Sequence, residues 1–132
     1  MVDKMKSDLS KYRIESALEL LNTAKANIHI DTKTSINRSY YAIFNSMRAL
    51  LALDGYDSKK HSGVIAQFRK LYIKTEILPK SLSVTINDLF DIRNDCDYED
   101  FFVVPKEDAQ TQLENAEEFV LAVQNYLKQT NQ

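Results

Sequence analysis

Ile36, Tyr40, Phe44, Met47 and Leu51 recur at spacings of four, four, three and four, the period of one face of an α-helix. Ile43, Leu50 and Leu53 broaden that face. The pattern predicts a helix from about Ser35 to Leu53, the central and most buried helix of the fold. Gly55 ends it, as a glycine just past a helix C-terminus does.

Four further segments carry the same period. Leu9, Tyr12, Ala17, Leu20, Leu21, Ala24 and Ile28 predict a helix over about Ser7 to Ile28, with Asp8 in its first turn. The polar link Asp31-Thr32-Lys33-Thr34-Ser35 offers several N-cap residues. A third helix follows Asp57-Ser58 and reaches about Tyr72, with Val64, Ile65, Phe68, Leu71 and Tyr72 inward. Pro79 interrupts the chain, and Ser81 or Ser83 can cap a fourth helix over about Leu82 to Asp97, with Ile86, Leu89, Phe90, Ile92 and Cys96 inward. Val103-Val104-Pro105 is an extended connector. A fifth helix runs from about Pro105 or Lys106 to Lys128, with Ala109, Leu113, Ala116, Val120, Val123 and Leu127 as its seam.

Two glycines and two prolines in 132 residues are too few for the turns of an all-β fold. The expectation is a single all-α domain over residues 1–132, its core about 7–128: a four-helix bundle with one additional short helix. No internal repeat or second-domain boundary appears.

Lysine and arginine number 17 against 19 acidic residues, for a net charge of −2. No global basic field exists to attract nucleic acid, so any such contact needs a local patch. The lone Cys96 excludes an intramolecular disulfide and a Cys-rich zinc site. The stretch Met1 to Leu9 does not read as a signal peptide, and no apolar run approaches the roughly 20 residues of a membrane span. A cytoplasmic protein away from membranes is expected. There is no Gly-rich phosphate loop, no HExxH and no paired Cys-His spacing. Neither cofactor nor metal is expected.

Three polar groups stand out. Asn37, Tyr41, Asn45 and Arg48 form a second stripe on the central helix, with Arg38 adjacent. It reads either as a solvated edge with tyrosine packing or as a polar groove or dimer face. Arg93 and Asp97, four apart, can share a helix face as an ion pair. The alternative is a solvated helix end, although the carboxylates clustered there oppose the helix dipole. His61, in Ser58-Lys59-Lys60-His61-Ser62, is either part of a phosphate-binding helix start or a solvated cap. His29 reads as a helix-end histidine.

Three segments together resemble the HEPN superfamily: Ser35 to Leu51 (SINRSYYAIFNSMRALL), Lys60 to Phe68 (KHSGVIAQF) and Leu89 to Phe101 (LFDIRNDCDYEDF). Their order and spacing are similar to a stand-alone bacterial and archaeal branch, over about Leu9 to Leu127. The resemblance implies an up-and-down helical bundle and a homodimer, its surface formed by the central helix's polar stripe and the end of the fourth helix. It also implies either a metal-independent ribonuclease toxin or the partner of a small nucleotidyltransferase. Arg93 matches the family arginine and Asn94 the polar residue after it. The family histidine is absent: Asp97 and Tyr98 stand in its place, and no histidine follows Arg93. Tyr98, with a reference pKa of about 10, is a poor base at pH 7, and Asp97, at about 3.9, a weak one. A nucleotidylated tyrosine two residues past the histidine is a family feature, but that position is Asp100 here.

Three functions follow. The first is a binding module for a nucleotide, RNA or partner protein, within a toxin–antitoxin or defence-type two-component system. Its candidate residues are Arg93, Asp97 and Tyr98 at the motif, and Asn37, Arg38, Tyr41, His61 and Asn94 for ligand. The second is an active ribonuclease in which His61 replaces the missing histidine. The third is an adaptor homodimer without a ligand, which requires the polar residues to lie apart.

Overall fold

The computed structural model describes residues 3–130 and contains helices without strands among them. Helix α1 spans Lys4–Asn27, α2 Thr32–Leu53, α3 His61–Phe68, α4 Ser81–Tyr98 and α5 Lys106–Thr130. A single π-helical turn, Arg69–Ile73, extends α3. The all-α expectation holds, and α3, with eight residues, is the shortest of the five α-helices.

Helix α2 lies at the centre and packs against α1, α3, α4 and α5. Its apolar breadth explains this position. Tyr40, Ile43, Met47, Leu50 and Leu51 are buried in one core with Phe68, Leu89, Phe119 and Val123. Burial of each such side chain contributes about 1.5–3 kcal/mol before chain entropy is counted.

The helix ends follow local chemistry. Asp31 accepts from Thr34 N at 3.3 Å and from Thr34 Oγ1 at 2.7 Å, capping α2. At the other end Gly55, with φ of 77°, lets its N–H donate to Ala52 O and that of Tyr56 to Leu51 O, at 3.1 and 3.0 Å. That paired closure is the Schellman arrangement, which needs a left-handed residue at Gly55. The chain then turns into the link that leads to His61.

Three expectations shift. Helix α1 begins earlier, capped by Asp3, whose side chain accepts from Met5 N at 2.7 Å. Asp8 therefore falls beyond the first turn. Its buried face also rotates: Leu9 and Tyr12 are exposed, while Ser10 and Arg13 are buried. Arg13 is drawn in because its Nη1 donates to Arg48 O at 3.2 Å. At the start of α4 neither Ser81 nor Ser83 caps, and the cap position, Lys80, makes no side-chain hydrogen bond. Ser83 Oγ instead accepts from Arg69 Nε at 2.9 Å.

Candidate functional site

Arg93 extends from α4 towards the face of α2. Its Nη2 donates to Tyr41 Oη at 3.1 Å. The guanidinium carbon lies 5.1 Å from the centre of the Tyr40 ring and 5.3 Å from that of Tyr41, within range of cation–π attraction to both. Nε lies 3.5 Å from Asp97 Oδ2, the expected one-turn pair. The contact is ionic rather than a formed hydrogen bond, because that buried Nε has no hydrogen-bond partner. Most of the guanidinium N–H capacity is thus uncommitted among the described residues.

His61 opens α3 and meets the same two tyrosines. Its Nδ1 lies 2.9 Å from Tyr40 Oη. Its ring stacks on Phe44 with centroids 4.2 Å apart and meets Tyr41 edge-on at 5.8 Å. Burial, then the positive charges of Arg93 and Arg48, hold the imidazole below its ordinary pKa of 6.5. It is therefore neutral at pH 7. Burial likewise pushes the Tyr40 phenol up to about 12, so it stays protonated. Both neutral imidazole tautomers fit the Tyr40 contact, one leaving Nε2 a donor and the other an acceptor.

A pair of arginines borders this cluster. Arg48 Nη2 and Arg13 Nη2 both approach Asp57 Oδ1, at 3.0 and 3.3 Å. Hydrogen bonding to Arg48 leads the causes that keep the Asp57 carboxyl below its ordinary value. Asp57 lies in the link before α3, so this bridge ties the link to α1 and α2. Gly63, in the first turn of α3, lets the link approach: a Cβ there would meet Ser58 Oγ and Tyr56 Oη at 3.1 Å.

The expected residues thus divide. Arg93, Asp97, Tyr41 and His61 come together. Asn37 and Asn94 are half-buried and make no side-chain hydrogen bond among the described residues. Tyr98, at the end of α4, is 79% exposed and is not among the contacts of Arg93. Arg38 is exposed and faces a different groove, shared with Glu19 and Thr23 of α1 and with Asn45. Tyr40 was legible only as a core residue. A tyrosine on a buried apolar face carries a hydroxyl that needs a partner, and that was the available signal. Nothing in the helical spacing marked Arg13.

Comparison with known proteins places the chain. The model of the HEPN domain matches residues 10–126. A UPF0332 protein of Thermotoga maritima is 31% identical over 124 residues, covering 93% of this chain and 94% of that one. A Methanocaldococcus jannaschii protein named "Putative toxin MJ0142" is 34% identical over 97 residues, covering 74% of this chain and 66% of that one. A second from that organism, "Putative toxin MJ0605", is 32% identical over 119 residues, 88% and 87% of the two chains. The match over most of the chain, on an all-α fold, establishes that this protein belongs to the HEPN family.

Proposed function

We propose that this chain is a toxin-type HEPN module that binds the phosphodiester of RNA or a nucleotide at Arg93, His61 and Tyr41. One observation carries the reading. Arg93 and His61, on different helices, are both held against Tyr40 and Tyr41. The guanidinium supplies charge and uncommitted N–H donors for phosphate oxygens, and the neutral imidazole supplies a hydrogen-bonding group that does not repel the arginine. The toxin names of the relatives agree with it. The clustering of Arg93, Asp97, Tyr41 and His61 runs against an adaptor whose polar residues lie apart, while the separate positions of Arg38 and Tyr98 do not.

A second reading has its own support. A neutral, oriented histidine suits metal-independent RNA cleavage. His61 Nε2 would take the 2′-hydroxyl proton as the 2′ oxygen attacks phosphorus, and Arg93 would hold the developing charge. The P–O5′ bond would break, and the 5′ oxygen would take a proton from the imidazolium. His61 would then fill the role that Tyr98 cannot.

The inferred assembly is a homodimer through the polar stripe of α2 and the end of α4, supported by exposed Tyr98, Phe101 and Val103 at and just past that end. The inferred setting is a two-component system with a nucleotidyltransferase, which rests on family membership. Co-purification with a nucleotidyltransferase encoded beside the gene tests it.

The deciding experiment incubates the folded protein with labelled single-stranded and structured RNA in EDTA, beside Arg93→Ala and His61→Ala. Binding lost in both variants, without cleavage, is the expected result for the first reading. Cleavage lost in both establishes the second. RNA that binds neither wild type nor variants ends the second reading and limits the first to a nucleotide.

A further inference from the structure

The groove between α3 and α4 shares His61 with the proposed phosphate site. It encloses about 600 Å³, with an apolar floor of Ile65, Ile86 and Phe90. Phe90 sits one turn before Arg93 and packs its ring 6.2 Å from Tyr40, so the groove is continuous with the cluster. Lys60, His61 and Arg69 stand at its rim, and no carboxylate is among its lining residues. In a chain of net charge −2, such a lining fits a ligand with an apolar ring and an attached anion.

The polar edge of the groove is built rather than incidental. Arg69 begins the π-helical turn, whose wide closure is visible in the Lys74 N–H donating to Arg69 O at 2.8 Å. Turns of this kind occur frequently at functional sites. Arg69 Nε and Nη2 donate to Ser83 Oγ and Ser83 O at 2.9 and 3.2 Å, which fixes the guanidinium plane. Nη2 also donates to Asn87 Oδ1 at 2.8 Å. That contact settles the amide's orientation, because the flipped amide would set one donor against another. The Asn87 Nδ2 group is left as a donor without a protein partner among the described residues. Arg69 Nη1 is in the same position.

Resting on the phosphate-binding reading above, we propose that this groove holds the nucleobase of the bound nucleotide, and that Asn87 selects bases bearing a ring carbonyl. Guanine, uracil and cytosine each present a carbonyl oxygen to Nδ2. Adenine has no carbonyl: its N1 and N7 acceptors are each flanked by the exocyclic amine, which would set a donor against Nδ2. Phe90 and the aliphatic floor contact the ring without regard to its identity.

The test titrates the full chain with AMP, GMP, UMP, CMP and inorganic phosphate, following affinities and the Asn87 side-chain amide by NMR. The three carbonyl-bearing nucleotides should bind about tenfold more tightly than AMP and shift the Asn87 amide. Asn87→Ala, an exposed position, should abolish that difference and leave phosphate affinity unchanged. Arg93→Ala should weaken all four nucleotides alike while keeping their order. Nucleotides that bind through Arg93, with the same order in Asn87→Ala or a silent Asn87 amide, would overturn the base pocket and leave the phosphate site standing. No binding of phosphate or any nucleotide would end both.

Discussion

The phenolic oxygen of Tyr40 lies 2.9 Å from Nδ1 of His61, joining the centre of α2 to the first residue of α3. Tyr40 is fully buried, so its hydroxyl has no water to turn to. Tyr40→Phe removes this bond with little change of shape. The expected cost is about 1 kcal/mol of stability, read as a lower denaturation midpoint with an unchanged urea dependence. RNA affinity should fall as well, because His61 loses the contact that orients its ring. Unchanged affinity in a folded Tyr40→Phe protein would remove His61 from the site.

His61 should titrate below 6.5 in the folded protein, measured by its imidazole NMR shifts. Burial is the leading cause and Arg93 the next. Arg93→Ala should therefore raise the value without restoring it fully to 6.5. The unfolded chain takes up the proton first as pH falls, so stability is lost below about pH 6.5 and the loss is complete below the folded value. His61→Gln should lose less stability than wild type across that interval. Equal losses would place the proton uptake elsewhere.

Asp57 acts in a lower window. Its carboxyl is held below 3.8 by Arg48 first and by Arg13 as well. Its contribution is present above 3.8 and lost as pH falls through the folded value. The carboxylate is 63% exposed, so solvent screens the pair and the Coulomb gain is small. Arg13 is the more sensitive partner, since its side chain is only 10% exposed and keeps its charge without Asp57. Asp57→Asn should lower the melting temperature at pH 7 and flatten its fall in acid. Salt should weaken the difference only partly, because Arg13 is buried.

The helical frame was legible because it depends on spacing. The period of Ile36, Tyr40, Phe44, Met47 and Leu51 located α2, and all five are buried. The order of segments around Arg93 and His61 pointed to the family. The site was less legible, because its contacts join residues distant in sequence. Arg93 and Tyr41 are 52 positions apart, and Arg13 and Asp57 44. Helical period reports which face is apolar, and not which polar group reaches across to another helix. Thus Arg38, beside the polar stripe, faces another groove. Arg13, in a stripe that read as Leu9 and Tyr12, is buried. Ser83 met the composition of a cap and serves Arg69.

Gly55 tests the link that delivers His61. With φ of 77° it occupies the left-handed region, which costs an L-residue about 1–2 kcal/mol. A Cβ there would approach only the flexible end of Lys6, Nζ at 3.1 Å, and that end can move away. The cost of Gly55→Ala is therefore backbone strain, and a midpoint loss of about 1 kcal/mol is expected. Gly55→Asn should lose less, because asparagine tolerates this conformation. Equal losses from the two variants would show that side-chain crowding, and not φ, governs the position.

Phe101 is fully exposed and holds a φ of 61°, an uncommon conformation for a large side chain. Tyr98 and Val103 are exposed in the same stretch, 79% and 77%. Three large apolar side chains in water at and just past the end of α4 are what a subunit contact covers. If this stretch joins two copies, Phe101→Ser should shift the molecular mass by light scattering from dimer towards monomer while the circular dichroism stays helical. RNA affinity should fall with it if the paired sites share one ligand. A monomeric wild-type protein would rule out the dimer, and a Phe101→Ser dimer would place the contact elsewhere.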